Sequence, residues 1–256
     1  MKYNIYFLHG FLGQAQDFSR TIQLLESSNY NVNCIAHSLL SPKTSNQFSP
    51  QLSLRQWVSN FNDYVVSKTN PNEKNILIGY SMGGRLALHL VFSKESLWDN
   101  VFALSSHPGF LSLEETESRK SWQQEWVKKL GFLSWENFTK EWNNQKIFSG
   151  DKPNRNFEEV NFSKESLSNA LCNWSLTEHY FPKSFLNNSK VNWVVGYKDK
   201  KYFDLYSNIE KERPSFNFKV FSSGHRTFNN SEDIFNLLID KVFSETSIPS
   251  PVTGEI

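Results

Sequence analysis

Short apolar runs recur along the chain. Between them lie stretches whose apolar residues return at helical intervals. The runs "YNIYFLHG", "YNVNCIAH", "NILIGY" and "NVFALSSHPG" predict four strands in the first 110 residues. Between them, "SRTIQLLESS", "LRQWVSNFNDYVVSK" and "MGGRLALHLVFS" predict helices, the second with Leu54, Trp57, Phe61 and Tyr64 on one face. The rhythm breaks after Phe110: from Leu111 to about Phe185 the spacing is helical throughout. It then resumes with a strand in "KVNWVVGYKD", a helix in "YFDLYSNIEK", a strand in "FNFKVFSSGH" and a helix in "SEDIFNLLIDKVFSE", with Ser231 as its N-cap. Strand–helix alternation predicts an α/β fold with a mostly parallel, doubly wound sheet. The interruption predicts a helical cap inserted into it. The expected organisation is a core of residues 1–110 and 186–246, a cap of 111–185 and a frayed tail of 247–256.

Composition narrows the picture. With 256 residues, 38% hydrophobic and 22 Phe among them, the chain can bury a sizeable core. Five of the eight Trp (Trp122, Trp126, Trp135, Trp142 and Trp174) fall in the insertion. The net charge of +1, with mixed signs and no basic stripe, gives nucleic acid no purchase. Cys34 and Cys172 read as two buried free thiols in a reducing compartment. No run is long enough to span a membrane and the first residues carry no cleavable signal pattern. The expected protein is cytoplasmic; its oligomeric state is left open, with a monomer favoured.

The chemistry begins at Gly79-Tyr80-Ser81-Met82-Gly83, a G-x-S-x-G sequence with a strand before it and a helix after it. A serine on so tight a turn needs small neighbours two residues away. The turn also aims the first N–H groups of the next helix at the hydroxyl, where they stabilise negative charge. A serine needs a base and the base an orienting acid. His225, between the last strand and last helix, is in place for the base. Asp199, just past the penultimate strand, is in place for the acid, with Asp204 as competitor inside a helical pattern. His9 and His107 sit at strand ends too early for the base; His9 reads as packing its loop. His37, His89 and His179 read as solvated or packed. The N–H groups of Phe11 and Met82 would form an oxyanion site.

These residues resemble the α/β-hydrolase fold. Together with "FLHGFLG", "GYSMGGRLAL", "HPGF" and "EWNNQKIF" they are similar to the 2-succinyl-6-hydroxy-2,4-cyclohexadiene-1-carboxylate synthases of menaquinone and phylloquinone biosynthesis. That resemblance implies a lyase, not a hydrolase. It implies that Ser81, activated by His225 and Asp199, removes a ring proton and that enolpyruvate is expelled, with no metal or organic cofactor. The implied partner is a small substrate with three carboxylates, gripped by Arg85, one helical turn after Ser81, and by Arg119 in "ETESRKSW", with Lys120 close behind. Trp142 and Tyr80 match family pocket residues. Two departures stand out. Many relatives carry Asp-x-Pro-Gly-His-Gly-x-Ser after the second strand, where this chain has "AHSLLSPKTSNQ", residues 36–47, expected to border the site. A later family arginine has no counterpart, and Lys164 is the nearest cation. The triad alone serves a carboxylesterase or thioesterase equally well.

Overall fold

The computed structural model describes residues 1–109, 112–151 and 157–244. Six strands form one parallel sheet: β1 (Tyr3–Leu8), β2 (Val32–His37), β3 (Lys74–Tyr80), β4 (Asn100–Leu104), β5 (Val191–Gly196) and β6 (Phe218–Phe221). The order β2-β1-β3-β4-β5-β6 places β1, β3 and β4 in the interior. In register, Ile5 faces Ile76 and Phe7 faces Ile78 across β1 and β3. Because side chains alternate across a strand, each contributes to both faces. Tyr3, Ile5, Phe7, Ile76, Ile78 and Phe102 enter one apolar layer with Phe18, Leu25 and Leu237. Tyr6, Leu8, Leu77, Val101 and Ala103 enter the other with Trp57, Phe61, Leu86 and Leu90. Burial on both faces is what a doubly wound parallel sheet requires.

The covering helices are α1 (Ser19–Glu26), α2 (Leu54–Lys68), α3 (Met82–Ser93), α4 (Leu113–Phe132), α5 (Trp135–Asn143), α6 (Lys164–Asn173), α7 (Lys200–Glu212) and α8 (Ser231–Leu238). Their starts follow local chemistry. Ser53 and Gln56 cap α2 reciprocally, and Ser112 and Glu115 do the same for α4, each serine cap contributing about 1 kcal/mol. Along α2, Trp57 and Phe61 are completely buried. Rings of that size stabilise the fold by about 1.5–3 kcal/mol each. Between β4 and β5, every helix and strand assigned among the described residues is helical: α4, α5, α6 and short 3₁₀ turns. Phe110, Leu111 and the tail 247–256 lie outside the described residues, as does the expected core–cap boundary at 110/111.

Two local expectations are corrected. Asn230, not Ser231, holds the N-cap position of α8; Ser231 is its first residue and is buried. The Asn230 side chain donates to Asp233 Oδ2 instead of capping the backbone. Cys172 is exposed and Cys34 partly buried, so the thiols are free but not both buried. Cys172 lies near the end of α6, whose buried residues are Leu167, Ala170 and Leu171.

Candidate active site

Every residue of the predicted constellation sits past the carboxyl end of a strand, the edge where open α/β sheets bind ligands. Phe11 follows β1, Ser81 follows β3, Asp199 follows β5 and His225 follows β6. Ser81 has φ +50° and ψ −107°, a left-handed backbone that a serine adopts only when its surroundings enforce it. The enforcement is visible: its N–H donates to Leu104 O at 2.8 Å and its carbonyl accepts from Arg85 N–H at 3.1 Å. The flanking glycines are obligatory. A Cβ on Gly79 would strike the Gly83 backbone, and one on Gly83 would strike the Leu8 carbonyl.

Three side chains meet in line. His225 Nδ1 lies 2.6 Å from Asp199 Oδ2, and His225 Nε2 lies 3.2 Å from Ser81 Oγ. With the carboxylate accepting from Nδ1–H, Nε2 keeps its lone pair for the serine proton. Asp199 and His225 are buried at 1% and 2% exposure, which removes competing water. Asp199 also caps α7, its Oδ1 accepting from Tyr202 N–H at 3.3 Å. Its charge thus sits on the positive end of that helix. Asp204 lies on the exposed surface of α7, paired with Lys200 at 3.0 Å. His9 fills the loop role read for it: Nδ1 bonds Gly10 O at 2.8 Å, and Nε2 accepts from Leu39 N–H at 2.8 Å.

A pocket opens on Ser81 and His225, and Phe11, Met82, Arg85, Arg119 and Trp142 line it too. The Arg85 guanidinium donates to the Trp174 carbonyl at 2.7 Å. Arg119 lies over the Trp122 ring at 3.9 Å, a cation–π contact. Its buried Nε has no hydrogen-bond partner among the described residues. Burial, then the Arg119 charge, pushes Arg85 down to about 9. Burial likewise lowers Arg119. Among the described residues neither guanidinium pairs with a carboxylate. Two converging, partly desolvated cations without a counter-charge make a site for an anion with more than one acidic group.

Four placements differ from the sequence reading. Tyr80 does not line the pocket; its buried ring packs behind the triad, 5.5 Å from the His225 ring and 4.7 Å from Phe228. Lys164 does not reach the pocket either and pairs with Glu159 at 3.7 Å on the surface. No residue of the loop 36–47 lines it; Leu39 and Leu40 turn into the core instead. Trp122 and Trp174, which the sequence reading did not assign to the site, are part of its wall. Trp142 both packs and lines, its ring 4.5 Å from Phe11 and 4.8 Å from Trp126. Sequence reasoning also missed Gln145, Tyr202 and His107 in the wall. It missed Arg226 too. That residue's N–H donates to Asp151 at 3.0 Å and its guanidinium to Asn143 at 2.6 Å, which ties the helical insertion to the loop of His225.

Residues 3–135 match the family model described as the alpha/beta hydrolase fold. The chain belongs to that family. Within it, a Haemophilus influenzae protein is 30% identical over 155 residues, 57% of this chain and 58% of that protein. A Bacillus subtilis protein is 22% identical over 255 residues, covering 91% of this chain and 88% of its own. Both are provisionally named 2-succinyl-6-hydroxy-2,4-cyclohexadiene-1-carboxylate synthase. The structure of MenH from S. aureus superposes with a TM-score of 0.78 at 19% identity, over 96% of this chain and 95% of that one, a likeness of fold. No described helix of this α/β hydrolase is long and apolar enough to cross a membrane.

Proposed function

We propose that the protein is a carbon–oxygen lyase that eliminates pyruvate from 2-succinyl-5-enolpyruvyl-6-hydroxy-3-cyclohexene-1-carboxylate, a step of menaquinone or phylloquinone biosynthesis. The observation that carries this reading is the pair Arg85 and Arg119, lining the pocket of Ser81 without a carboxylate partner among the described residues. The names of the two relatives support it independently.

The chemistry follows from the substrate and product. A 3-ene with an enolpyruvyl ether at C5 becomes a 2,4-diene. The proton lost is therefore the one at C2, next to the succinyl ketone. Ser81, having given its own proton to His225 Nε2, takes the C2 proton. The C–H electrons form the C2–C3 double bond, the C3–C4 pair shifts to C4–C5, and the C5–oxygen bond breaks. Enolpyruvate leaves and is protonated to pyruvate. Negative charge develops on the ketone oxygen during proton loss. The N–H groups of Phe11 and Met82 are assigned to hold it, a contribution of about 10²–10³ in rate per donor. Arg85 and Arg119 grip two carboxylates and fix C2 over Ser81 Oγ, which converts binding into orientation. Asp199 orients His225 and stabilises its charged form. In this reading the chain divides into a sheet core and a helical cap that supplies Arg119 and Trp142.

A carboxylesterase or thioesterase uses the same triad, so the two readings separate at the arginines. kcat/KM measured on the cyclohexene substrate and on p-nitrophenyl acetate distinguishes them. The lyase reading predicts that the first far exceeds the second. It also predicts that Arg85→Ala lowers the first about 10- to 100-fold, the range for losing a charged hydrogen bond, and leaves the second unchanged. Fast ester turnover with no reaction of the cyclohexene would establish the esterase instead.

A further inference from the structure

The two arginines leave part of a tricarboxylate unaccounted for, and no third cation among the described residues lines the pocket. The wall does contain His107, in the turn that follows β4. This histidine is 7% exposed. Its Nδ1 accepts from the Gly109 backbone N–H at 3.0 Å. A nitrogen that accepts a hydrogen bond carries no proton, so the neutral ring must hold its proton on Nε2. No protein group among the described residues accepts from Nε2. That atom is also absent from the fully buried polar atoms without a partner, so its small exposure is the face turned to the pocket.

The turn that sets this geometry is closely packed. Gly109 has φ +91°, the region that favours glycine, and a Cβ there would strike the His179 ring. Ser105 is also left-handed at φ +44°. Ser106 Oγ donates to the Ser81 carbonyl at 3.2 Å, which couples this turn to the serine turn. The groups facing His107 are Tyr202, whose ring lies 6.0 Å away, together with Lys201, Arg85, Arg119 and His179. Burial and the three cations push His107 down to about 3, so the ring stays neutral across the working range. A third cation here would add to the repulsion between Arg85 and Arg119. A neutral N–H donor does not.

We propose that His107 is a substrate-binding residue whose outward Nε2–H donates to an sp² oxygen of the substrate that Arg85 and Arg119 leave free. The inference rests on the reading of the pocket as a polycarboxylate site. The acceptor is the succinyl ketone or the remaining carboxylate, which share this chemistry.

The test compares His107→Leu, which removes the donor, with His107→Gln, whose amide nitrogen can take the place of Nε2. The expected result is a KM for the cyclohexene substrate raised about 10- to 100-fold in His107→Leu, partial recovery in His107→Gln, and melting temperatures close to wild type for both. Inhibition by the analogue whose ketone is replaced by a methylene group identifies the oxygen: equal inhibition of wild type and His107→Leu assigns the ketone, and weaker inhibition of the variant assigns the carboxylate. A wild-type KM in active His107→Leu overturns the inference while leaving the lyase intact. A protein inactive on the cyclohexene from the start overturns the lyase instead. Nitrogen-15 NMR of wild type then still decides the role of His107. The Nε2–H tautomer should persist to pH 5, and its proton should move downfield on adding benzene-1,2,4-tricarboxylate. The Nδ1–H tautomer, or an unmoved resonance, overturns the inference.

Discussion

Ser81 is held in a left-handed backbone by contacts made elsewhere in the sheet, and its hydroxyl lies in line with two side chains far away in sequence. Asp199 has a double attachment, to His225 Nδ1 and to the start of α7. Replacing it with Asn keeps the shape but removes the charge and favours the wrong tautomer of His225. In a serine triad such a change costs up to about 10⁴ in kcat. Asp199→Asn should therefore lower kcat by about 10²–10⁴ with little change in KM, whereas Asp204→Asn, at an exposed ion pair with Lys200, should leave steady-state kinetics at the wild-type level. The reverse pattern would move the acid to Asp204. At this scale the triad could be read directly from the chain, because G-x-S-x-G and the strand-end positions of Asp199 and His225 are local signals. Tyr80 could not be placed that way. It adjoins Ser81, but alternation along β3 turns its ring behind the triad, into the layer holding Phe228.

Helix α3 begins just after Ser81, carries Arg85 one turn later and His89 one turn after that. His89 is fully buried among His179, Tyr180 and Phe181, and neither of its ring nitrogens has a hydrogen-bond partner among the described residues. Burial, reinforced by Arg85 and Arg55, pushes it down to about 3. The unfolded chain takes up this proton near pH 6.5, while the folded protein resists it until about 3. Stability is thus fully present above about pH 6.5 and falls as the pH drops, by up to about 1.4 kcal/mol per pH unit for this one group. His107, lowered to about 3, and His37, lowered to about 4, act in the same direction. Urea unfolding between pH 6.5 and 5, above the ordinary carboxylate range, should show this slope. His89→Phe, which suits the aromatic surroundings, should reduce it by about one histidine's share; an unchanged slope would contradict the assignment. The strand–helix rhythm of the core was readable because both periods are strong. The insertion was readable only as helix. Helix α4 has no dominant apolar face, and only Trp126 and Leu130 on it are buried. Nothing local therefore says that Arg119 and Trp122 turn toward Ser81.

Across the whole molecule, the site exists because two parts of the chain close on each other. The sheet supplies Ser81, Asp199, His225, Phe11 and His107; the insertion supplies Arg119, Trp122, Trp142 and Trp174. Their contact is fastened next to His225, where Arg226 bonds Asp151 and Asn143 and lies over Phe148 at 4.3 Å. Phe148 in turn packs edge-on against His225, 5.6 Å away. Such long-range closure explains why Gln145, Tyr202 and Arg226 escaped the sequence reading. The central claim is that this closed constellation performs a serine-dependent elimination on a polycarboxylate. The most direct measurement gives purified wild type and Ser81→Ala the freshly made enolpyruvyl cyclohexene substrate, and follows pyruvate release together with absorbance of the new conjugated diene. The account predicts that wild type forms both products together and that Ser81→Ala loses at least about 10³ in kcat. A folded wild type that releases no pyruvate, or a Ser81→Ala variant that releases it at the wild-type rate, would contradict it.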